Sequence, residues 1–274
     1  MLDFIVDESL CIKCGQCVKE CPVGIIDLND FPTILPEKEV ECLKCQHCLA
    51  ICPTGALSIL GKDPSKSVAN SKILPDSGKM AEMIKMRRST RRYKNEEVSK
   101  DLIMEMLETA SYAPTGHNKN SVHFAVVTNV QIMNLFREKV YNSIKSASDN
   151  GTLSSSLSFL LDFQRLWVSK GIDILFRGAP HLVIASAPKN IATPIQDCII
   201  ALSYFELLAN SHGLGTLWNG MVKWVIEDID PELKSLLGVS NDHLIGYVMA
   251  FGKPEAKFVR AIQSDGIHVK EVVF

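Results

Sequence analysis

The chain has 274 residues, 46% of them hydrophobic and 22% charged, a balance that excludes a disordered polymer and supplies enough apolar surface for a packed core. Twenty-nine basic against thirty-one acidic side chains leave a formal charge of -2, too small to draw the whole molecule to nucleic acid or anionic lipid, so neither is expected as a partner. No uncharged apolar run approaches the roughly 18 residues of a membrane helix, and the opening MLDFIVDESL lacks the basic n-region of a secretory signal, which makes a reducing cytoplasm the expected compartment.

Eight of the nine cysteines fall in two arrays, CIKCGQCVKECP at 11–22 and CLKCQHCLAICP at 42–53. In a reducing compartment such density points to metal rather than to disulfides. A zinc site usually takes two close pairs separated by a longer gap, not a run of four. Each array resembles the C-x2-C-x2-C-x3-C-P run of the bacterial two-cluster ferredoxin, in which three thiolates hold one cube and the fourth reaches the other. The resemblance implies two [4Fe-4S] clusters, one on Cys11, Cys14, Cys17 and Cys52 and one on Cys42, Cys45, Cys48 and Cys21. Val23, Ile25, Ile26 and Leu28, with Ala56, Leu57 and Ile59, are expected to cover them. So small a module buries little apolar area, and metal binding is expected to supply much of its folding free energy. His47 reads as a solvent-facing loop residue and Cys198 as packing in a later helix.

From Gly61 to Gly78 the sequence GKDPSKSVANSKILPDSG reads as a surface linker. The organisation is therefore residues 1–60, a linker over 61–79, and a second domain over 80–274. In the second domain a short helix is expected over 80–88. Ser99 can cap another, whose Leu102, Ile103, Met106, Leu107 and Ala110 share a stripe. VHFAVVT (122–128), HLVIASA (181–187) and HLIGYVMAFG (243–252) read as strands. Thr193, Pro194 and Gln196 form a capping box for an apolar helix running toward His212, and Asp230 with Pro231 opens one stopped at Gly238. The fold class is α+β, a sheet flanked by helices.

Four stretches of this domain carry a more specific signal. RRSTRRY (87–93) offers Arg87, Arg88, Ser89 and Arg91, whose planar guanidinium forks and hydroxyl suit a phosphate, although a basic run alone reads as a solvated face. APTGHNKNSVHF (113–124) reads by itself as a helix-ending turn, with His117 a loop side chain. GLGTLWNG (213–220) leaves a helix to enter a strand, the reverse of a dinucleotide loop. GKPEAKFVRAIQ (252–263) follows the last strand and by itself reads as a charged tail.

Together, in this order, they resemble the FMN-dependent nitroreductase family over roughly residues 80–274. The resemblance implies that Arg87, Arg88, Ser89 and Arg91, with Arg260 and the weaker candidate Lys257, meet the FMN phosphate end. It implies that Pro114, Thr115, Gly116, Asn118 and Asn120 lie along the isoalloxazine, with Asn219 and Gly220 at its reactive edge. Asn120, Ser121 and Val122 stand where the family commonly has Gln-Pro-Trp, and Asn219 where many members have glutamate. An intertwined homodimer is implied as well. Residues 142–176 would cover the substrate side, where Phe159, Phe163, Trp167 and Phe176 are candidates for a lining or for helix core.

Clusters pass single electrons, whereas nitro groups, quinones and activated double bonds are reduced in pairs, a mismatch that a flavin bridges. The expected function is an FMN-dependent oxidoreductase that takes electrons through two [4Fe-4S] clusters and reduces a small organic acceptor. No catalytic acid stands out. One alternative has NAD(P)H reduce the flavin directly, with the clusters as exit or structure; otherwise NAD(P)H or a redox protein is the donor. A non-enzymatic iron-sulfur carrier or redox sensor is the other alternative.

Overall fold

The computed structural model of the chain describes residues 2–68 and 74–274. It divides into two compact units, Met1–Leu74 with His117–Lys119, and Pro75–Gly116 with Asn120–Phe274. Residues 69–73 of the expected linker lie outside the described residues.

The first unit comprises β1 (Ile5–Val6), α1 (Gln16–Glu20), β2 (Ile26–Leu28), β3 (Pro32–Ile34), α2 (His47–Ala50) and β4 (Leu57–Ser58). Strands β1 and β4 pair antiparallel, as do β2 and β3, giving two small ribbons rather than one sheet. Its buried core is Leu2, Ile25, Ile26, Leu49, Leu57 and Ile59, packed with Cys17 and Cys48. Of the expected covering residues, Leu28 at the tip of its ribbon does not join it and is 38% exposed, whereas Val23, in the turn after Pro22, is 36% exposed yet lines a cavity together with Cys21, Cys42, Cys45 and Cys48.

The second unit contains α3 (Ser77–Met86), α4 (Lys100–Ala110), β5 (His123–Val127), α5 (Val130–Asp149), α6 (Leu160–Lys170), β6 (His181–Pro188), α7 (Pro194–Ser211), β7 (Gly215–Trp218), α8 (Gly220–Trp224), α9 (Glu232–Leu236) and β8 (His243–Gly252). Helix α3 begins earlier than expected, inside the linker reading, because the Asp76 carboxylate accepts the Lys79 N–H (2.8 Å) and caps it. Ser99 caps α4 through the Leu102 N–H, and the four buried side chains Ile103, Met106, Leu107 and Ala110 follow the expected stripe.

The sheet has the order β5-β6-β8-β7, antiparallel throughout. Alternation along its central strands builds two cores at once. Leu182 and Ile184 of β6, with Val248 and Ala250 of β8, face Met133, Phe136, Val140, Tyr141 and Ile144 of α5. Their neighbours Val183, Ala185, Met249 and Phe251 face Ile103 and Met106 of α4 and Cys198, Leu202 and Phe205 of α7. Both faces of β6 are thus covered, and the domain is a three-layer helix–sheet–helix sandwich. Cys198 is plain packing, as expected, and burial pushes its thiol up to about 12.

His181 opens β6 fully buried. Its Nε2 accepts the Val98 N–H (2.9 Å), so the ring proton resides on Nδ1, which donates to the Val127 carbonyl (3.3 Å). Burial holds its pKa below the ordinary histidine value, against smaller opposing effects of that carbonyl and Glu97. The unfolded chain therefore binds a proton that the folded chain refuses. This contribution to stability is fully present above about pH 6.5 and is lost as pH falls through that value toward the folded pKa. All three tryptophans, Trp167, Trp218 and Trp224, belong to this unit. Urea unfolding followed by their fluorescence should show a midpoint that drops between about pH 7 and pH 5, and His181→Gln should flatten that drop; an unchanged pH slope in the variant would refute the assignment.

Residues 142–176 form the end of α5, a turn at Ser155–Leu157, α6 and a return loop. Most of their aromatic side chains go to the core. Phe176 is fully buried edge-on to Phe136 (6.0 Å), and Trp167 stacks on Tyr141 (5.1 Å), leaving Phe159 as the exposed one of the four candidates at 38%.

Candidate functional site

In the first unit, chain order separates the cysteines that space brings together. One cavity of about 350 Å³, its open mouth included, is lined by Cys11, Cys14, Cys17 and Cys52, with Val6, Ile12 and Leu57 around them. A second of the same volume is lined by Cys21, Cys42, Cys45 and Cys48, with Ile25, Ile26 and Ile59. Each array therefore lends its fourth thiol to the lining of the other cavity.

The loops that carry the thiols repeat one backbone course. Lys13 and Lys44 have φ of 56° and 55°, and Gly15 and Gln46 have φ of 69° and 60°. For the two lysines and Gln46 the left-handed region costs about 1–2 kcal/mol each, strain that a loop retains where it must curl three thiols around one space. Burial, with smaller contributions from Cys14 and Cys52, pushes the Cys17 thiol up. Burial, with Cys45 and Cys42 adding to it, takes Cys48 to about 11. Burial also acts upward on Cys52, but bonds from Thr54 and the Ala56 N–H (3.3 Å) outweigh it and hold this thiol below the ordinary value. Among the described residues no group of three or more His, Cys, Asp or Glu is disposed to hold a single metal ion; the thiols surround a shared volume instead of a point. His47 is exposed, as expected, with Nδ1 3.3 Å from Glu20.

In the second unit the stretch after α3 lies against β7. Ser89 forms a parallel bridge with Thr216, and the Thr90 N–H donates to the Thr216 carbonyl (2.8 Å). This docking needs a glycine at 215, since a Cβ there would stand 2.1 Å from Thr90 Oγ1. Arg87 leaves the end of α3 half-buried, with Nη1 3.4 Å from the buried Glu206 carboxylate. Arg88 donates through Nη1 to the Arg87 carbonyl, while its Nη2 is buried with no partner. Arg91 is exposed.

The loop after α4 closes on itself where Thr115 Oγ1 accepts the Asn120 N–H (2.9 Å). Pro114 is exposed and Gly116 half-buried. The Gly116 N–H donates to Asp197 Oδ1 of α7 (3.0 Å), and a Cβ on Gly116 would stand 2.1 Å from Thr193 Oγ1. The expected capping box of α7 is not formed, because Thr193 Oγ1 donates to Asp197 Oδ1 (2.9 Å) instead of capping a backbone N–H. His117 and Asn118 are in left-handed backbone, with φ of 52° each.

Asn219 is buried and fully engaged. Its Oδ1 accepts the Val222 N–H at the start of α8, its Nδ2 donates to the Leu175 carbonyl (2.9 Å), and its own N–H donates to Val248 (2.8 Å). Gly220, the first residue of α8, has a backbone N–H with no intrahelical acceptor. The Leu175 carbonyl is fixed in turn by Asp173, which accepts from Tyr141 Oη (2.8 Å), the Phe176 N–H (2.9 Å) and the Gly178 N–H (2.9 Å) and pairs with Arg137 Nε (2.8 Å). Lys257 and Arg260 are exposed beyond β8 and make no hydrogen bond or ion pair among the described residues.

A family model described as the nitroreductase family matches residues 84–253. The chain belongs to the nitroreductase family. A second model, a 4Fe-4S dicluster domain, matches residues 10–57, so this nitroreductase carries an iron-sulfur domain at its N-terminal side. A Methanothermobacter thermautotrophicus protein provisionally named an NADH dehydrogenase/NAD(P)H nitroreductase is 27% identical over 175 residues, 63% of this chain and 76% of its own length. A Bacteroides fragilis nitroreductase solved with bound FMN shares the fold at a TM-score of 0.56 and 24% identity, covering 72% of this chain and 100% of its own. A second FMN-bound nitroreductase, from Desulfitobacterium hafniense, gives 0.55 at 22% identity over 72% of this chain and 100% of its own. These likenesses establish the nitroreductase fold of the second unit. No helix among the described residues is long and apolar enough to cross a membrane.

Sequence reasoning missed four residues of this nitroreductase's candidate site: Thr193, Asp197, Glu206 and Thr216. A readable signal existed for two of them, since Asp197 and Glu206 are carboxylates set in the apolar run of α7, where a charge must find a partner.

Proposed function

We propose that this nitroreductase is an FMN-dependent oxidoreductase whose own two [4Fe-4S] clusters feed it electrons, and that it reduces a small organic acceptor. One observation supports the flavin above the others. Among the described residues the buried side-chain nitrogens and oxygens without a hydrogen-bond partner are Arg88 Nη2, Ser121 Oγ, Asp197 Oδ2 and Arg137 Nε. Arg137 Nε lies against Asp173. The other three lie in the flavin stretches or on the residue that anchors one, where native proteins leave buried groups unpaired for a ligand to complete.

When bound, the flavin supplies hydride or electron-pair chemistry and the clusters single-electron transfer. The chain's residues do the rest. Arg87, Arg88, Ser89 and Arg91 present donors to the phosphate, with Arg260 and Lys257 as further candidates on the tail. Thr115, Gly116 and Asn120, closed into one loop and anchored on Asp197, form a wall for the ring. Asn219 holds the start of α8 so that the Gly220 N–H is free to donate at the ring's edge. The two sets of four cysteines hold the clusters, and the N–H groups of Lys44 and Ala56, directed at Cys42 and Cys52 sulfurs, stabilise the thiolates.

Iron, sulfide and flavin analysis of the anaerobically purified full chain should give about eight irons and about one FMN per chain. Iron without flavin would refute the oxidoreductase reading and leave an electron carrier. The names of relatives favour a second reading, in which NAD(P)H is the donor. Stopped-flow mixing with NADPH separates the two: flavin bleaching ahead of the clusters would make the clusters an exit rather than an inlet. A homodimer, as the family resemblance implies, is part of the proposal.

A further inference from the structure

We propose that Glu206 is a positioning residue for Arg87, holding its guanidinium in the one arrangement that receives the phosphate of the flavin; this rests on the flavin reading above. Glu206 belongs to α7 and is buried, with the Thr216 hydroxyl donating to its Oε1 (3.0 Å) and Arg87 Nη1 at 3.4 Å from the same oxygen. A buried carboxylate is retained where it has a task or a partner, and both of its contacts here converge on the RRST stretch. Thr216 is fully buried on β7 and acts twice. Its carbonyl fixes the Thr90 N–H, and its hydroxyl fixes the carboxylate that meets Arg87. Backbone and side chain of the stretch are therefore registered against the same strand residue.

The consequence for binding is preorganisation. Arg87 carries a flexible stem and stays 35% exposed, so an unpinned guanidinium would sample many rotamers, each of which an incoming anion would have to select from. The carboxylate engages a single donor of the planar fork, Nη1, and leaves the remaining donors for a bidentate phosphate. Two opposed effects decide the sign. Glu206 repels the phosphate through space but immobilises the cation that touches it. Because the carboxylate is directly against the guanidinium while the anion would lie on its far side, ordering outweighs repulsion.

The test uses the full chain in equilibrium dialysis against FMN and, separately, riboflavin, which lacks the phosphate. Glu206→Gln keeps the shape and a bond to Thr216. It is expected to raise the FMN Kd about five- to tenfold while leaving the riboflavin Kd unchanged. The double variant R87A/E206Q is expected to bind FMN no more weakly than R87A, since the effect runs through Arg87. Unchanged or tighter FMN binding by E206Q overturns the inference. So does equal weakening of both flavins, which would make Glu206 merely structural. If E206Q fails to fold, Thr216→Val removes the hydroxyl bond alone and should give a smaller loss, again confined to FMN; no loss there overturns the inference. A wild-type chain that takes up neither flavin overturns the flavin reading together with this one, whereas FMN binding shared equally by wild type and E206Q overturns this one alone.

Discussion

Removing Cys14 and Cys52 together is expected to cost the chain about four of its eight irons, whereas removing Cys45 and Cys52 together is expected to cost all of them. The two pairs look alike in sequence, and one is even compact, both members lying in the second array. The cavities separate them: Cys14 and Cys52 line the same one, while Cys45 and Cys52 line different ones. Iron and sulfide per chain in the two alanine double variants decide the matter. The reverse order of losses would mean that each array keeps its own cluster. The effect is large because the first unit has little else to stand on. Its apolar core is a handful of residues around two short ribbons, and metal ligation must supply what burial does not.

Arg87→Ala is expected to weaken FMN binding roughly 10- to 150-fold, the equivalent of about 1.5–3 kcal/mol for a hydrogen bond to a charged group. Riboflavin binding should barely change, and so should the iron content, because Arg87 belongs to the second unit and the cysteines to the first. Dialysis against each flavin, with iron assayed on the same samples, checks this; full FMN affinity in the variant would remove Arg87 from the phosphate site. Arg260→Ala is the natural companion, since that side chain is exposed in the tail and is free of competing partners among the described residues.

What could be read from the sequence depended on how local its cause was. The cysteine arrays were legible because a spacing of three, three and four is itself a loop geometry, while the crossing of the fourth thiols was implied by the ferredoxin resemblance alone. The central strands were legible because β6 and β8 are apolar on both faces and leave no ambiguity of length. Helix α5 went unassigned although Met133, Phe136, Val140, Ile144 and Ala147 recur at helical spacing and Asn129 caps the Ile132 N–H. Its stripe is blurred in sequence because Ile132 and Leu135 stand on the exposed side, at 54% and 67%, while the charged Arg137 lies on the buried one. The capping box at Thr193 failed because Asp197, one turn later, captures the hydroxyl and also holds a glycine N–H of a distant loop; the carboxylate stands out in its apolar run, but its distant partner does not. The same held for Glu206, whose partners Arg87 and Thr216 are brought to it by the sheet.

The shared central strand has a last consequence, for how the second unit comes apart. Side chains of β6 feed the helical layer on either side in strict alternation, so a shift of pairing by a single residue would strip both layers of their footing at the same moment. Neither layer can melt while the other stays put. Two hydrophobic clusters that look independent on paper behave as one cooperative body, and damage to either is felt by the whole.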